Sequence, residues 1–331
     1  MAFSFLDSIV TMRIAVRHPW EGRRTNRDRK QDPDRDPGTG TEVQSGVMWI
    51  WDAILDGAMD TLKLVPFLFL TYLVMEYIEH RTGDKTKAAI RRADRFGPLA
   101  GGLLGAFPQC GFSAAAASLY AGRVITAGTV IAVFLSTSDE MLPIFLSNRV
   151  DPRLILKVIA IKIVYGVIAG FVVDFLFRSL NVRKIGAGIH GMCEADHCDC
   201  ENGIWISSLK HTLSIALYIF LISVALNLFL EIIGTQNLEN LIFNQPVIGE
   251  ILAGLIGLIP NCAASVALTT MYLDGAMSAG AMMSGLMVGA GVGILVLIRT
   301  NRSRRESLKI IAILYVAGVI GGLLTSALRL L

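Results

Sequence analysis

Residues 101–128 read GGLLGAFPQCGFSAAAASLYAGRVITAG, and residues 253–280 read AGLIGLIPNCAASVALTTMYLDGAMSAG. Laid over each other at a shift of 152, the two stretches share ten of 28 residues, among them Gly105/Gly257, Pro108/Pro260, Cys110/Cys262, Ser113/Ser265 and Tyr120/Tyr272. The same shift lays LILKVIAIKIVYGVIAG (154–170) over ESLKIIAILYVAGVIGG (306–322), with ten of 17 identical. A shift of 151 lays Thr61-Leu62 over Thr212-Leu213. Apolar segments resemble one another cheaply, but a repeated Pro-x-Cys does not come from composition. The chain is therefore an internal duplication.

The duplicated unit is a membrane unit. Of 331 residues, 53% are hydrophobic and only 17% charged, and the mean hydropathy is +0.57. A soluble domain needs more polar surface. Runs such as LILKVIAIKIVYGVIAGFVVDFLF and LSIALYIFLISVALNLFL are long enough for the ~20 helical residues that cross a bilayer core. The fold class is an all-α polytopic membrane protein. Residues 1–47 stand apart. They mix both charge signs with Pro and Gly and predict a flexible charged tail. The first membrane repeat is expected over 48–180, a Cys/His/acid-rich cytoplasmic linker over 181–204, and the second repeat over 205–331.

Charge placement sets the relation of the halves. The loop 81–95 holds six Lys/Arg, and its counterpart 231–250 holds none. The loop 147–153 holds two, and its counterpart 299–309 holds five. Short cytoplasmic loops gather Lys and Arg, so the bias predicts an inverted-topology repeat, the plan of many secondary transporters. With 81–95 inside, 147–153 outside and 124–147 as one crossing, residues 97–121 must enter and leave on one side. Each half is then three crossing helices plus one re-entrant helical hairpin. The hairpins turn at Pro108–Gly111 and Pro260–Ala263. This arrangement places the Arg-rich tail outside, against the usual bias.

Three features carry chemistry. A re-entrant turn is tolerated in a bilayer only where protein or a water-filled cavity covers it. Two turns from opposite faces would bring Gln109, Cys110 and Ser113 opposite Asn261, Cys262 and Ser265; the bland alternative is a Pro bend with Cys as a small core residue. Asp139 and Glu140 interrupt the apolar segment FLSTSDEMLPIF (134–145). Intramembrane carboxylates suit a cation ligand or a proton carrier. By position alone the pair could equally sit near the external face. The loop HGMCEADHCDC (190–200) packs His190, Cys193, His197, Cys198 and Cys200 among acids. Thiolate and imidazole suit soft or borderline metals, although the spacing fits no standard zinc module.

The FPQCGFSAAAASLYAGRVITAGT and FLSTSDEMLPI blocks, with the echo IPNCAASVALTTMYLDG, resemble the ten-helix heavy-metal exporters. That family carries labels such as manganese transporter or arsenic efflux protein and is related to the organoarsenical permeases. The resemblance covers residues 50–331. It implies export of a metal or metalloid across the bacterial cytoplasmic membrane, with the Pro-x-Cys turns as the path. The expected reading is a secondary-active exporter and not an enzyme. Cys110 and Cys262 would be soft ligands, Gln109 and Asn261 oxygen ligands, and Asp139 or Glu140 a proton-coupling carboxylate or hard-cation ligand. The expected partners are the lipid bilayer, the transported metal or metalloid and coupled protons. No nucleic acid and no tightly bound cofactor are expected, apart from a metal on the 190–200 loop. Two other classes stay open, an intramembrane thiol redox enzyme using Cys110 and Cys262, and a passive channel. No GxxxxGK[ST] loop is present, so this chain does not supply primary pumping.

Overall fold

The computed structural model describes residues 96–107, 110–138, 141–179, 204–233, 247–301 and 303–331, with most of 51–73. Ile50–Leu331 form one compact unit. The tail 1–47, the loop 190–200, Gln109, Asp139 and Glu140 lie outside the described residues, as does the side chain of Cys110.

Every regular element among the described residues is a helix. In the first half these are α1 (Gly97–Gly105), α2 (Cys110–Ala121), α3 (Ala127–Ser136), α4 (Met141–Ser147) and α5 (Pro152–Ser179). α6 (Ile204–Ile233) follows. Then come α7 (Ile248–Gly257), α8 (Cys262–Leu273), α9 (Ala279–Val288), α10 (Val292–Thr300) and α11 (Arg304–Ala327). The described positions of 51–73 are also helical. The duplication is visible in the boundaries. α8 starts and ends 152 residues after α2, α9 does so after α3, and α11 starts 152 after α5.

The equivalent helices start for equivalent reasons. Thr126 caps α3 by accepting from the Thr129 N–H, and Ser278 caps α9 by accepting from the Ala281 N–H, both at 3.1 Å. A buried acid stands behind each cap, but from a different element. Asp174 of α5 accepts from Thr126 Oγ1 and the Gly128 N–H at 2.7 Å each. In the second half Ser326 takes the place of Asp174, and its hydroxyl donates to Glu250 of α7 at 2.7 Å. Carboxylates at helix N-termini meet freed N–H groups and the positive dipole end.

α1, α3 and α5 pack together, and α7, α9 and α11 repeat that arrangement. The partners after each broken span are exchanged. α10 packs on α2 of the first half, and α4 packs on α8 of the second, with the Phe145 and Tyr272 rings 6.4 Å apart. The halves also meet at equivalent residues, where the Tyr165 hydroxyl donates to the Ala317 carbonyl at 2.6 Å. A Cβ added at Gly57 would lie 2.8 Å from Val224, and the Tyr72 ring stacks on His211 at 5.5 Å. Segment 51–73 therefore runs antiparallel to α6, its counterpart in the duplication.

Five stretches among the described residues are long and apolar enough to cross a membrane: Ala127–Ser147, Pro152–Phe177, Ser208–Leu226, Ala279–Thr300 and Arg304–Ala327. The first and fourth form the interior. The other three present large apolar side chains outward, such as Leu156, Phe175, Leu217 and Val316, as lipid-facing helices do. α1 and α2, with 9 and 12 residues, reach about 14 and 18 Å, each short of a ~30 Å core.

The segment 124–147, expected to supply one crossing, holds a stretch of that length, Ala127–Ser147, built from two helices, α3 and α4. α3 ends at Ser136, and Thr137 turns out of the helix with ψ 130°. The hydroxyls here bond backward, Ser136 to the Ala132 carbonyl at 2.8 Å and Thr137 to the Val133 carbonyl at 2.7 Å. Such side-chain bonds compete with continuation of the helix. The counterpart span breaks too, between Val288 and Val292.

Candidate functional site

The second Pro-x-Cys turn is described in full. α7 closes at Gly257, and the Ile259 N–H donates to the Ile256 carbonyl at 2.9 Å. The Asn261 N–H then donates to the Ile259 carbonyl at 2.8 Å. Asn261 is extended (φ −140°, ψ 141°), and its Oδ1 accepts from the Ala263 N–H at 3.2 Å, capping α8. Asn261 is thus first of all an N-cap, a residue type favoured at that position. It is buried, and Cys262 and Ser265 behind it are half-buried. At the first turn, the Phe107 N–H donates to the Leu104 carbonyl at 3.2 Å and α2 begins at Cys110. Ser113, in the first turn of α2, is fully buried.

The two helix breaks lie against these turns. A Cβ added at Gly105, the last residue of α1, would sit 2.5 Å from the Val133 carbonyl oxygen, near the end of α3. A Cβ at Gly289 would sit 3.5 Å from Ser265 Oγ and 3.8 Å from the Gly257 carbonyl oxygen. A Cβ at Gly293 would sit 2.8 Å from the Ser113 Cβ. One stretch, Gly289–Gly293, therefore touches the second turn at one end and the first-hairpin helix α2 at the other. Gly291 within it has φ +52° and ψ −134°, a conformation open essentially to glycine alone. Its counterpart in the first half is Asp139. The first break is flanked by Thr137 and Ser138 before it and Met141 after it, all buried.

Sequence reasoning missed Lys162. It lies in α5 and is 1% exposed. Its Nζ donates to the Thr137 carbonyl at the first break. It also donates to the Leu286 carbonyl near the end of α9, at 2.9 Å. The signal lies in the aligned blocks, where a charged Lys162 stands over an apolar Leu314. The second break is equally hard to see in sequence, where Gly285, Gly289 and Gly293, each four apart, have the spacing of a helix-packing stripe. Gly285 and Gly293 do pack closely, but Gly289 caps the end of α9.

The structure thus brings Ser113 and Ser265 to two ends of one helix break, with Asn261 and Cys262 at the adjoining turn. Among the described residues no three His, Cys, Asp or Glu side chains stand together as a metal-ion site. The expected sites at Gln109, Cys110, Asp139, Glu140 and His190–Cys200 fall on residues or side chains outside that description.

Long apolar helices with outward apolar faces, around an interior of discontinuous helices, define a multi-pass membrane protein of transporter type. The chain belongs to the family described as "Putative, 10TM heavy-metal exporter", whose profile matches residues 50–230. The matched part holds the first turn, the first break and Lys162. It is narrower than the 50–331 over which the motifs resemble that family. Neither curated proteins nor solved structures gave a match.

Proposed function

We propose that the chain is a secondary-active exporter of a metal or metalloid, which binds where the two Pro-x-Cys turns and the two helix breaks meet. The observation that carries this reading is the stretch Gly289–Gly293, packed against Ser265 and Gly257 on one side and Ser113 on the other. Irregular backbone at membrane depth survives where it lines a cavity, and half-helix ends there supply charge to a ligand. Cys110 and Cys262 serve as soft ligands for arsenite, an organoarsenical or a thiophilic cation. Gln109, Asn261, Ser113 and Ser265 add oxygens. Asp139 and Glu140 carry coupled protons or bind a hard cation such as manganese. The linker residues His190, Cys193, His197, Cys198 and Cys200 collect metal on the cytoplasmic side.

The halves are inverted in this reading, and the hairpins re-enter from opposite faces of a bacterial cytoplasmic membrane. Segment 51–73 and α6 are equivalent in the duplication yet antiparallel, as inversion requires and a parallel repeat does not. Shared packing of α4 on α8 and α10 on α2 lets one half rock against the other around the breaks.

Cells expressing the chain should hold less of one metal than control cells when challenged in turn with manganese, cadmium and arsenite, read by elemental analysis. Unchanged content for a panel of transition metals and arsenicals would remove the exporter reading. The inversion is checked separately: a cysteine placed in 234–246 should react with an impermeant external thiol reagent, and one in 82–95 should not. The opposite pattern would reverse the orientation.

A further inference from the structure

Lys162 has no equivalent in the second half, where Leu314 is buried instead. Two of its acceptors are carbonyls released by helix breaks. Thr137 is the C-cap of α3. In α9 the Ala290 N–H, which would continue the ladder to Leu286, donates to the Val288 carbonyl at 2.8 Å. That frees the Leu286 carbonyl for the ammonium. The last carbonyls of a helix carry its negative dipole end. Two such ends, one from each half, therefore converge on one buried positive charge. Val158, one turn before Lys162 in α5, and Leu286 itself are almost fully buried.

We propose that Lys162 is a tethered cation, its ammonium filling a cation-coordination place built from the C-terminal carbonyls of α3 and α9. Carbonyl oxygens at helix ends are the donors with which broken membrane helices hold small inorganic cations, and hard cations prefer such oxygens. The ligand class for this place is a small dehydrated inorganic cation. While the ammonium sits there, it also ties α3 of the first half to α9 of the second. A diffusible cation in the same place would bridge the same two helix ends. The proposal stands on these contacts alone and does not depend on what the protein exports.

The test uses the purified full chain in detergent. Lys162→Met keeps a stem of similar length and removes the charge. Its thermal unfolding is followed in lithium, sodium, potassium, rubidium and magnesium chloride, each against choline chloride at matched ionic strength. The variant should unfold well below the wild type in choline and regain several degrees in at least one inorganic cation. The wild type should show the same midpoint in all of them. A variant that assembles only with an inorganic cation gives the same answer in stronger form. The proposal is overturned if no cation raises the variant above its choline midpoint, or if the wild type gains as much. Should Lys162→Met assemble in no salt, Lys162→Leu, matching the residue of the second half, replaces it. Failure of both in every cation also overturns the proposal.

Discussion

Asp139→Asn should abolish export and leave the chain folded. In everted membrane vesicles, metal accumulation by the variant should fall by at least about tenfold, equivalent to ~1.4 kcal/mol. The unfolding midpoint should stay at the wild-type value. Thr137 and Ser138 precede the acidic pair, Met141 follows it, and all three are buried. An intramembrane charge costs at least ~2.5 kcal/mol on insertion scales, and the proposed function gives this pair a task that justifies it. Asparagine has the same shape and fills the same volume, so packing survives. It cannot take up and release a proton or supply an anionic oxygen to a cation. The symmetry of the chain sharpens the prediction. Gly291 occupies the equivalent position with a left-handed φ of +52°, so only the first half has a carboxylate to lose. Glu140→Gln, made alone and together with Asp139→Asn, shows how the two acids divide the task.

Gly257→Val should have the largest effect on assembly. A Cβ at this position would lie 2.3 Å from the Gly285 carbonyl oxygen and 3.1 Å from its carbonyl carbon. These are backbone atoms of α9, so no rotamer change makes room. The opposite surface is also close, since a Cβ on Gly285 would lie 2.9 Å from the Ala253 carbonyl oxygen. Helix association within lipid rests on such close approach. Overpacking commonly costs about 1–3 kcal/mol, and contact with fixed backbone places this case at the upper end or beyond. Separating α7 from α9 also pulls the second turn off the break at Gly289. The expected outcome is a lowered unfolding midpoint and loss of the monodisperse peak in size-exclusion chromatography. Leu255→Val, two residues earlier and 57% exposed, should leave both unchanged.

Much of the architecture was legible because the chain states it twice. Pro108/Pro260 and Cys110/Cys262 fix the shift of 152, and the helix boundaries repeat at that interval. The acidic pair marked the first break as unusual, although not as a change of helix. The second break was hidden by ambiguity: a glycine that lets backbones approach and one that ends a helix look alike in sequence. Here Gly293 does the first and Gly289 the second. Exchange of α4 and α10 between halves was not legible either. It depends on contacts between residues far apart in the chain, such as Phe145 with Tyr272 and Ser113 with Gly293, which no local pattern encodes. Lys162 escaped for a further reason. Within an apolar run, a single lysine reads as one that snorkels to the interface, whereas the fold turns it onto two freed carbonyls.

The claim that substrate sits between the two turns is tested most directly at the two cysteines that open α2 and α8. In a chain with Cys193, Cys198 and Cys200 replaced by serine, the rates at which Cys110 and Cys262 react with N-ethylmaleimide are measured by mass spectrometry, with and without the exported metal or metalloid. The account predicts that the substrate slows both reactions together, and that alkylating either cysteine stops vesicle accumulation. If a substrate that is demonstrably exported leaves both rates unchanged, and export survives alkylation of both cysteines, the site does not lie between the turns.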